Sequence, residues 1–178
     1  MSSTRSCAVS NAGPLIHLSR AGLLHLLRRL FDRVLVPEGV EDEAVDRGKE
    51  RGSADALQVE EAIAEGWIKV TELDAPAEFL ELMETAGLEK AEAIVIFMAN
   101  RSGCLALLDD EAARVFSRGL GVEVRGSIGV VIQALKRGLV TPSEAVEGLE
   151  RLSEVMYLNV DTYRLARQEI ERFSRESH

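Results

Sequence analysis

The sequence predicts an α/β fold with a mostly parallel sheet of about five strands and extra helices at the C-terminus. Three observations point there. First, short apolar runs recur at Cys7–Ser10, Val34–Val36, Trp67–Thr71, Leu105–Leu108 and Val122–Val124. Most lack polar alternation, the pattern of a strand covered on both faces. Second, stretches of helical periodicity separate the runs, and strand–helix alternation favours parallel pairing. Third, polar or acidic residues follow four of the five strands: Asn11, the segment bearing Glu43, the pair Asp109 and Asp110, and Ser127. Ligand sites in such sheets lie beyond the carboxyl ends of the strands.

The elements follow in order. The first strand ends at Asn11, and Gly13-Pro14 turns the chain into a short helix, with proline suited to a helix start. After Gly22, Leu23, Leu24, Leu26, Leu27 and Leu30 recur at helical spacing, with Arg28 and Arg29 on the other side. Pro37 stops the second strand, and a helix bearing Glu41, Asp42 and Glu43 runs from Gly39 to Gly48. Ser53 fits the N-cap of a helix that Gly66 ends after Glu65. Trp67–Thr71 alternates, as a more exposed strand would. Pro76 opens the next helix and Gly87 breaks it. From Leu88 to Arg101 a further helix is predicted; it is apolar all round over Ala93–Ala99 and so packed deep. After the Leu105–Asp109 strand comes a helix from Glu111 to Arg118, and the fifth strand is Val122–Val124. Ser127 suits an N-cap for a helix reaching Lys136. Thr141 and Glu144 form a capping box for the next, and a last helix of mixed charge covers Val160–Phe173. Residues 1–140 make the α/β domain, and 141–178 form a helical extension packed on it.

Composition narrows the classes. The chain has 178 residues, 46% apolar and 29% charged, ordinary for a globular domain. No stretch has the length of a membrane span, and the polar N-terminus gives no signal peptide, so a cytoplasmic address is expected. The net charge of −9 disfavours unspecific adsorption to nucleic acid. It does not exclude a nuclease whose acids bind metal while arginines line the approach. Cys7 and Cys104 read first as buried thiols; a disulfide between them stays open and needs neighbouring strands and an oxidising or thermophilic setting. The three histidines lack zinc-ligand spacing.

The centre of the chemistry is Leu105-Ala106-Leu107-Leu108-Asp109-Asp110-Glu111. A strand running into three acids gathers carboxylates that repel one another unless a cation or proton intervenes, and a hard divalent ion suits oxygen ligands. The plainer role for Asp110 or Glu111 is to cap the following helix. Glu89 and Glu92, one turn apart, head the buried helix.

Several blocks together resemble the PIN-domain family, in particular its VapC-like prokaryotic branch with a serine-asparagine start. They are Val9-Ser10-Asn11-Ala12-Gly13-Pro14-Leu15-Ile16-His17-Leu18, Val36-Pro37-Glu38-Gly39-Val40-Glu41-Asp42-Glu43, Ala91-Glu92-Ala93-Ile94, Leu108-Asp109-Asp110-Glu111-Ala112-Ala113-Arg114 and Gly121-Val122-Glu123-Val124-Arg125-Gly126-Ser127-Ile128-Gly129. They occur in family order over most of the chain. The resemblance implies a three-layer α/β/α PIN-like domain and a metal-dependent endoribonuclease using Mg²⁺ or Mn²⁺. It implies Glu43, Glu92, Asp109 and Asp110 as catalytic acids. The same four with Asn11 would be metal ligands, supported by Ser127 and Glu89. Arg114, Arg118 and Arg125 are candidate RNA contacts, although no interleaved aromatics announce a stacking platform. The implied partners are RNA, a small antitoxin protein and a second copy of the chain, with no membrane. Two departures mark the sequence. Asn11 replaces an expected aspartate with a neutral oxygen donor. Lys90 stands where relatives often carry an acid, and these two positions support the alternative of a catalytically impaired binding or regulatory module. A receiver-like phospho-acceptor is a lesser alternative, disfavoured by the absence of an acid at Asn11.

Overall fold

The computed structural model describes residues 6–50 and 54–177. Its elements are β1 (Cys7–Ser10), α1 (Ala12–Arg20), α2 (His25–Leu30), β2 (Arg33–Pro37), α3 (Glu38–Glu50), α4 (Ala54–Glu65) and β3 (Ile68–Thr71). They continue with α5 (Ala77–Thr85), α6 (Lys90–Ser102), β4 (Leu105–Leu107), α7 (Glu111–Gly119), β5 (Val124–Arg125), α8 (Ser127–Lys136), α9 (Pro142–Val155) and α10 (Val160–Glu176). The strands form one sheet in the order β3-β2-β1-β4-β5, with every pairing parallel.

That order creates a switch point. The chain runs outward from β1 to β3, then returns past β1 to start β4 on its other side. Right-handed crossovers in opposite directions put their helices on opposite faces of the sheet. Accordingly α6 packs on β1, β2 and β4 and against α5, while α1 packs with α3, α4, α8 and α9. This is the three-layer α/β/α arrangement. The central strands are the most buried: Ala8, Val9, Ala106 and Leu107 are fully covered. Leu23, Leu27 and Leu30 belong to the same core, and so do Ala145, Leu149, Leu152, Ala166 and Ile170 from α9 and α10. Leaving these last two helices off would expose much of that apolar surface. Among the described residues no helix is long and apolar enough to cross a membrane.

Several boundaries differ from expectation for local reasons. Gly87 takes a left-handed φ of 84°, and Leu88 then donates its N–H to the Met83 carbonyl. Leu88 therefore closes α5, and α6 begins at Lys90 with Glu89 as its extended N-cap. Val122 donates back to the Ser117 carbonyl at the end of α7, which delays β5 to Val124. The β4 ladder ends at Leu107, though Leu108 stays fully buried beyond it. The Thr141–Glu144 capping box forms as expected. The proposed cap at Ser53 lies outside the described residues. The expectation of free thiols is overturned: Cys7 and Cys104 form a disulfide. The register explains it. Ala8 pairs with Leu105, so the two cysteines sit side by side one step earlier, with Cα atoms 5.0 Å apart.

Candidate functional site

The carboxyl ends of β1 and β4 lie side by side at the switch point, where a doubly wound sheet opens a crevice. The Asn11 N–H donates to the Leu107 carbonyl at 3.0 Å, tying the residue after β1 to the last residue of β4. Asn11 occupies the N-cap of α1, yet its side chain makes no capping hydrogen bond. Its Oδ1 is buried and has no hydrogen-bond partner among the described residues. Asparagine at an N-cap ordinarily satisfies a helix N–H, and a buried oxygen without a donor costs about 1–3 kcal/mol. The atom is therefore suited to something the protein itself does not provide.

Asp109 is the most tightly held acid. Its Oδ1 accepts the Ser127 N–H at 2.6 Å and its Oδ2 accepts the Ser127 hydroxyl at 2.7 Å. The Oδ2 also accepts from His17 Nδ1 at 2.7 Å; an ionised carboxylate only accepts, so Nδ1 carries the proton. Burial pushes the Asp109 carboxyl up, but the His17 and Ser127 hydrogen bonds outweigh it and hold the group below its ordinary value. Gly126 makes this clamp possible. Its backbone is extended, so no special φ is needed, but a Cβ there would lie 2.9 Å from Asp109 Oδ1. Arg114 closes the far side by donating to the Asp109 carbonyl at 2.7 Å.

The expected cap role of Ser127 is corrected here. Gly126 is the N-cap of α8 and Ser127 points at Asp109 instead. Asp110 does cap α7, accepting from the Ala113 N–H at 2.9 Å. Of the two glutamates on α6, Glu92 is buried and Glu89 is exposed. Glu92 accepts the Glu89 N–H at 2.9 Å. Burial raises its pKa, against that backbone bond, and the nearby charges of Asp110 and Glu89 raise it further. Lys90 is exposed. Glu43 is half-buried on α3, and α3 packs on α1.

Thus Asn11, Asp109 and Ser127 cluster at the switch point, Asp110 and Glu92 feel one another's charge beside it, and Arg114 and Arg125 flank the cleft beyond. Among the described residues no group of three or more histidine, cysteine, aspartate or glutamate side chains is placed to hold a metal. Two observations nevertheless fit a hard cation. The donors are oxygens, and the buried Asn11 Oδ1 is orphaned. His17 is a partner of Asp109 that was not among the candidate residues. Its signal was available: it stands four residues, one helical turn, after Gly13 on the helix that Asn11 begins.

The family model described as "DUF3368: PIN domain" matches residues 7–172. A crystal structure of a Pyrobaculum aerophilum protein aligns with a TM-score of 0.51 at 16% identity, covering 69% of this chain and 85% of that one. A PilT N-terminus domain protein from the hyperthermophilic archaeon Sulfolobus solfataricus aligns with a TM-score of 0.45 at 14% identity, covering 72% of this chain and 93% of the other. No curated protein matches.

Proposed function

This chain belongs to the PIN-domain family described as DUF3368, whose members are typically nucleases, and from that premise we propose that it is a metal-dependent endoribonuclease. The single observation that carries the metal dependence is the buried, partnerless Asn11 Oδ1 at the switch point. Asn11 and Asp109 would hold a Mg²⁺ or Mn²⁺ ion at the switch point, with Asp110, Glu92 and Glu43 the further acids that the resemblance assigns; such an ion would supply Lewis acidity to acidify a water and offset charge on the phosphoryl oxygens.

The chain's own residues do the rest. Ser127 and His17 fix the Asp109 carboxylate in orientation and keep it ionised. Oδ1 accepts one protein hydrogen bond and so retains a lone pair for a further contact. Glu92 sits where desolvation and two neighbouring acids favour its proton, a burden that a cation there would relieve. Arg114, Arg118 and Arg125 offer guanidinium groups to the phosphates of the substrate. On the same reading the protein is a VapC-like toxin of a type II toxin–antitoxin pair, acts as a homodimer and is restrained by a small antitoxin. These features rest on the resemblance of the sequence blocks.

The test is RNA cleavage in Mn²⁺ or Mg²⁺ against the same reaction in EDTA, with Asp109→Asn beside the parent. Metal-dependent cleavage that Asp109→Asn abolishes is expected. No cleavage by the parent, or equal cleavage by both, refutes the proposal. A catalytically impaired binding module is the second reading, favoured by the lack of a three-acid cluster among the described residues. Isothermal titration with Mn²⁺ separates the two, because an impaired site takes up little or no metal.

A further inference from the structure

A cleft of about 570 Å³ opens from Asp109 towards the C-terminal helices. Arg114 and Arg118 lie on its α7 side, four residues apart and so about one helical turn along the axis. Arg125 lines it at the end of β5, and Lys136 lines it from α8. The remaining side is the segment 156–159 that joins α9 to α10. Tyr157 in that segment is 90% exposed, and it is the one aromatic ring lining the cleft among the described residues.

The cations are unevenly committed. Lys136 is paired with Glu169 at 2.6 Å and Arg125 with Glu123 at 2.9 Å. Arg118 makes no ion pair among the described residues, and Arg114 uses one N–H on the Asp109 carbonyl and keeps four others. On a chain of net charge −9, Arg114 and Arg118 give the cleft two guanidinium groups that a phosphate can engage, although Glu111 lines it too. An exposed ring lining the same cleft supplies what the sequence alone did not: a face for a base to stack on. Distance along the chain hides the combination, since Tyr157 lies some forty residues after Arg114 and Arg118.

We infer that Tyr157 forms a nucleobase subsite of the cleft. An unpaired RNA base stacks on its ring, and the neighbouring phosphates engage Arg114 and Arg118 on the way to Asp109. The inference rests on the ribonuclease reading and deepens it by naming a residue of the cleft that takes a base; that base must be unpaired, because bases within a duplex have no free face to offer.

Fluorescence anisotropy with a fluorescein-labelled oligouridylate, in EDTA so that the strand stays intact, tests it. The same strand annealed to oligoadenylate serves as the duplex control. Base–aromatic stacking is worth about 1–3 kcal/mol by alanine substitution, so Tyr157→Ala is expected to raise Kd about 5- to 150-fold. Tyr157→Phe keeps the ring and is expected to bind within about twofold of the parent, and the duplex is expected to bind equally to parent and Tyr157→Ala. Arg118→Ala is expected to reduce the salt slope by about one, whereas Tyr157→Ala leaves it unchanged. The subsite is overturned if Tyr157→Ala binds the single strand as the parent does, or if Tyr157→Phe is as weak as Tyr157→Ala. A parent that cleaves RNA with Mn²⁺ yet ignores the oligouridylate sinks the subsite alone. A parent that neither binds the strand nor cleaves RNA sinks both proposals.

Discussion

Removing the Cys7–Cys104 bridge should cost this protein a large share of its stability. The bridge joins residues 97 apart in sequence, so its absence frees a long loop in the unfolded chain. On the chain-entropy account, a loop of that length contributes roughly 16 cal/mol/K, or about 4.7 kcal/mol at 25 °C. Unfolding entropy of about 2.1 cal/mol/K per residue over 178 residues makes the corresponding fall in Tm roughly 12 °C. The perturbation is Cys7→Ala, Cys104→Ala and the double variant, followed by circular dichroism on heating. Each single variant should lose about as much as the double, because either one removes the whole bridge. A reducing agent should lower the parent's Tm and leave the double variant unmoved. If the unreduced parent, once unfolded, titrates two free thiols, or if all three variants melt within about 2 °C of it, the entropy reasoning fails here.

Other predictions concern the site. Gly126→Ala places a Cβ 2.9 Å from Asp109 Oδ1 and should break the Ser127 N–H bond to that oxygen. Hydrogen bonds to charged groups are worth about 1.5–3 kcal/mol, so the variant should melt roughly 4–8 °C lower and lose cleavage; unchanged melting and cleavage would show that the carboxylate is not pinned. Because Asp109 is held below its ordinary pKa, the unfolded chain binds more protons in acid. This contribution to stability is complete above the unfolded value of about 3.9 and is lost as pH falls through the lower folded value. His17→Ala removes one cause of the depression, so its acid unfolding midpoint should move to higher pH, and an unmoved midpoint counts against the His17 contact. Glu92 runs the other way: its raised pKa makes stability decline as pH rises from the ordinary glutamate value through the folded one. In EDTA at neutral pH, Glu92→Gln should therefore melt above the parent, and added Mn²⁺ should stabilise the parent more than the variant. A variant that melts below the parent in EDTA contradicts this.

Much of the fold was legible in the sequence because its signals are local. The apolar runs gave strands, Gly87 gave a helix end, and Thr141 with Glu144 gave a cap. Asp109 stood out for the same reason, as a strand running into acids. The errors came from contacts that spacing does not encode. Ser127 has the chemistry of a helix cap, and only its position opposite Asp109, 18 residues earlier, diverts it. His17 meets Asp109 across 92 residues, and the cysteines meet only because β1 and β4 are neighbours. Tyr157 joins the arginines through the packing of α9 and α10 on α8.

The strand order carries a consequence for synthesis. β1 is made first, yet it stands at the middle of the sheet and pairs with β4 on one side. While the chain is still on the ribosome, that side of β1 has no partner until Leu105–Leu107 emerge. At about 5–20 residues per second, the interval is roughly 5–20 s. Asn11 and Asp109 come together only after it, and Ser127 later still. A chain made only as far as β4 therefore has no assembled switch point, and the Ser127 clamp on Asp109 forms only once α8 has followed.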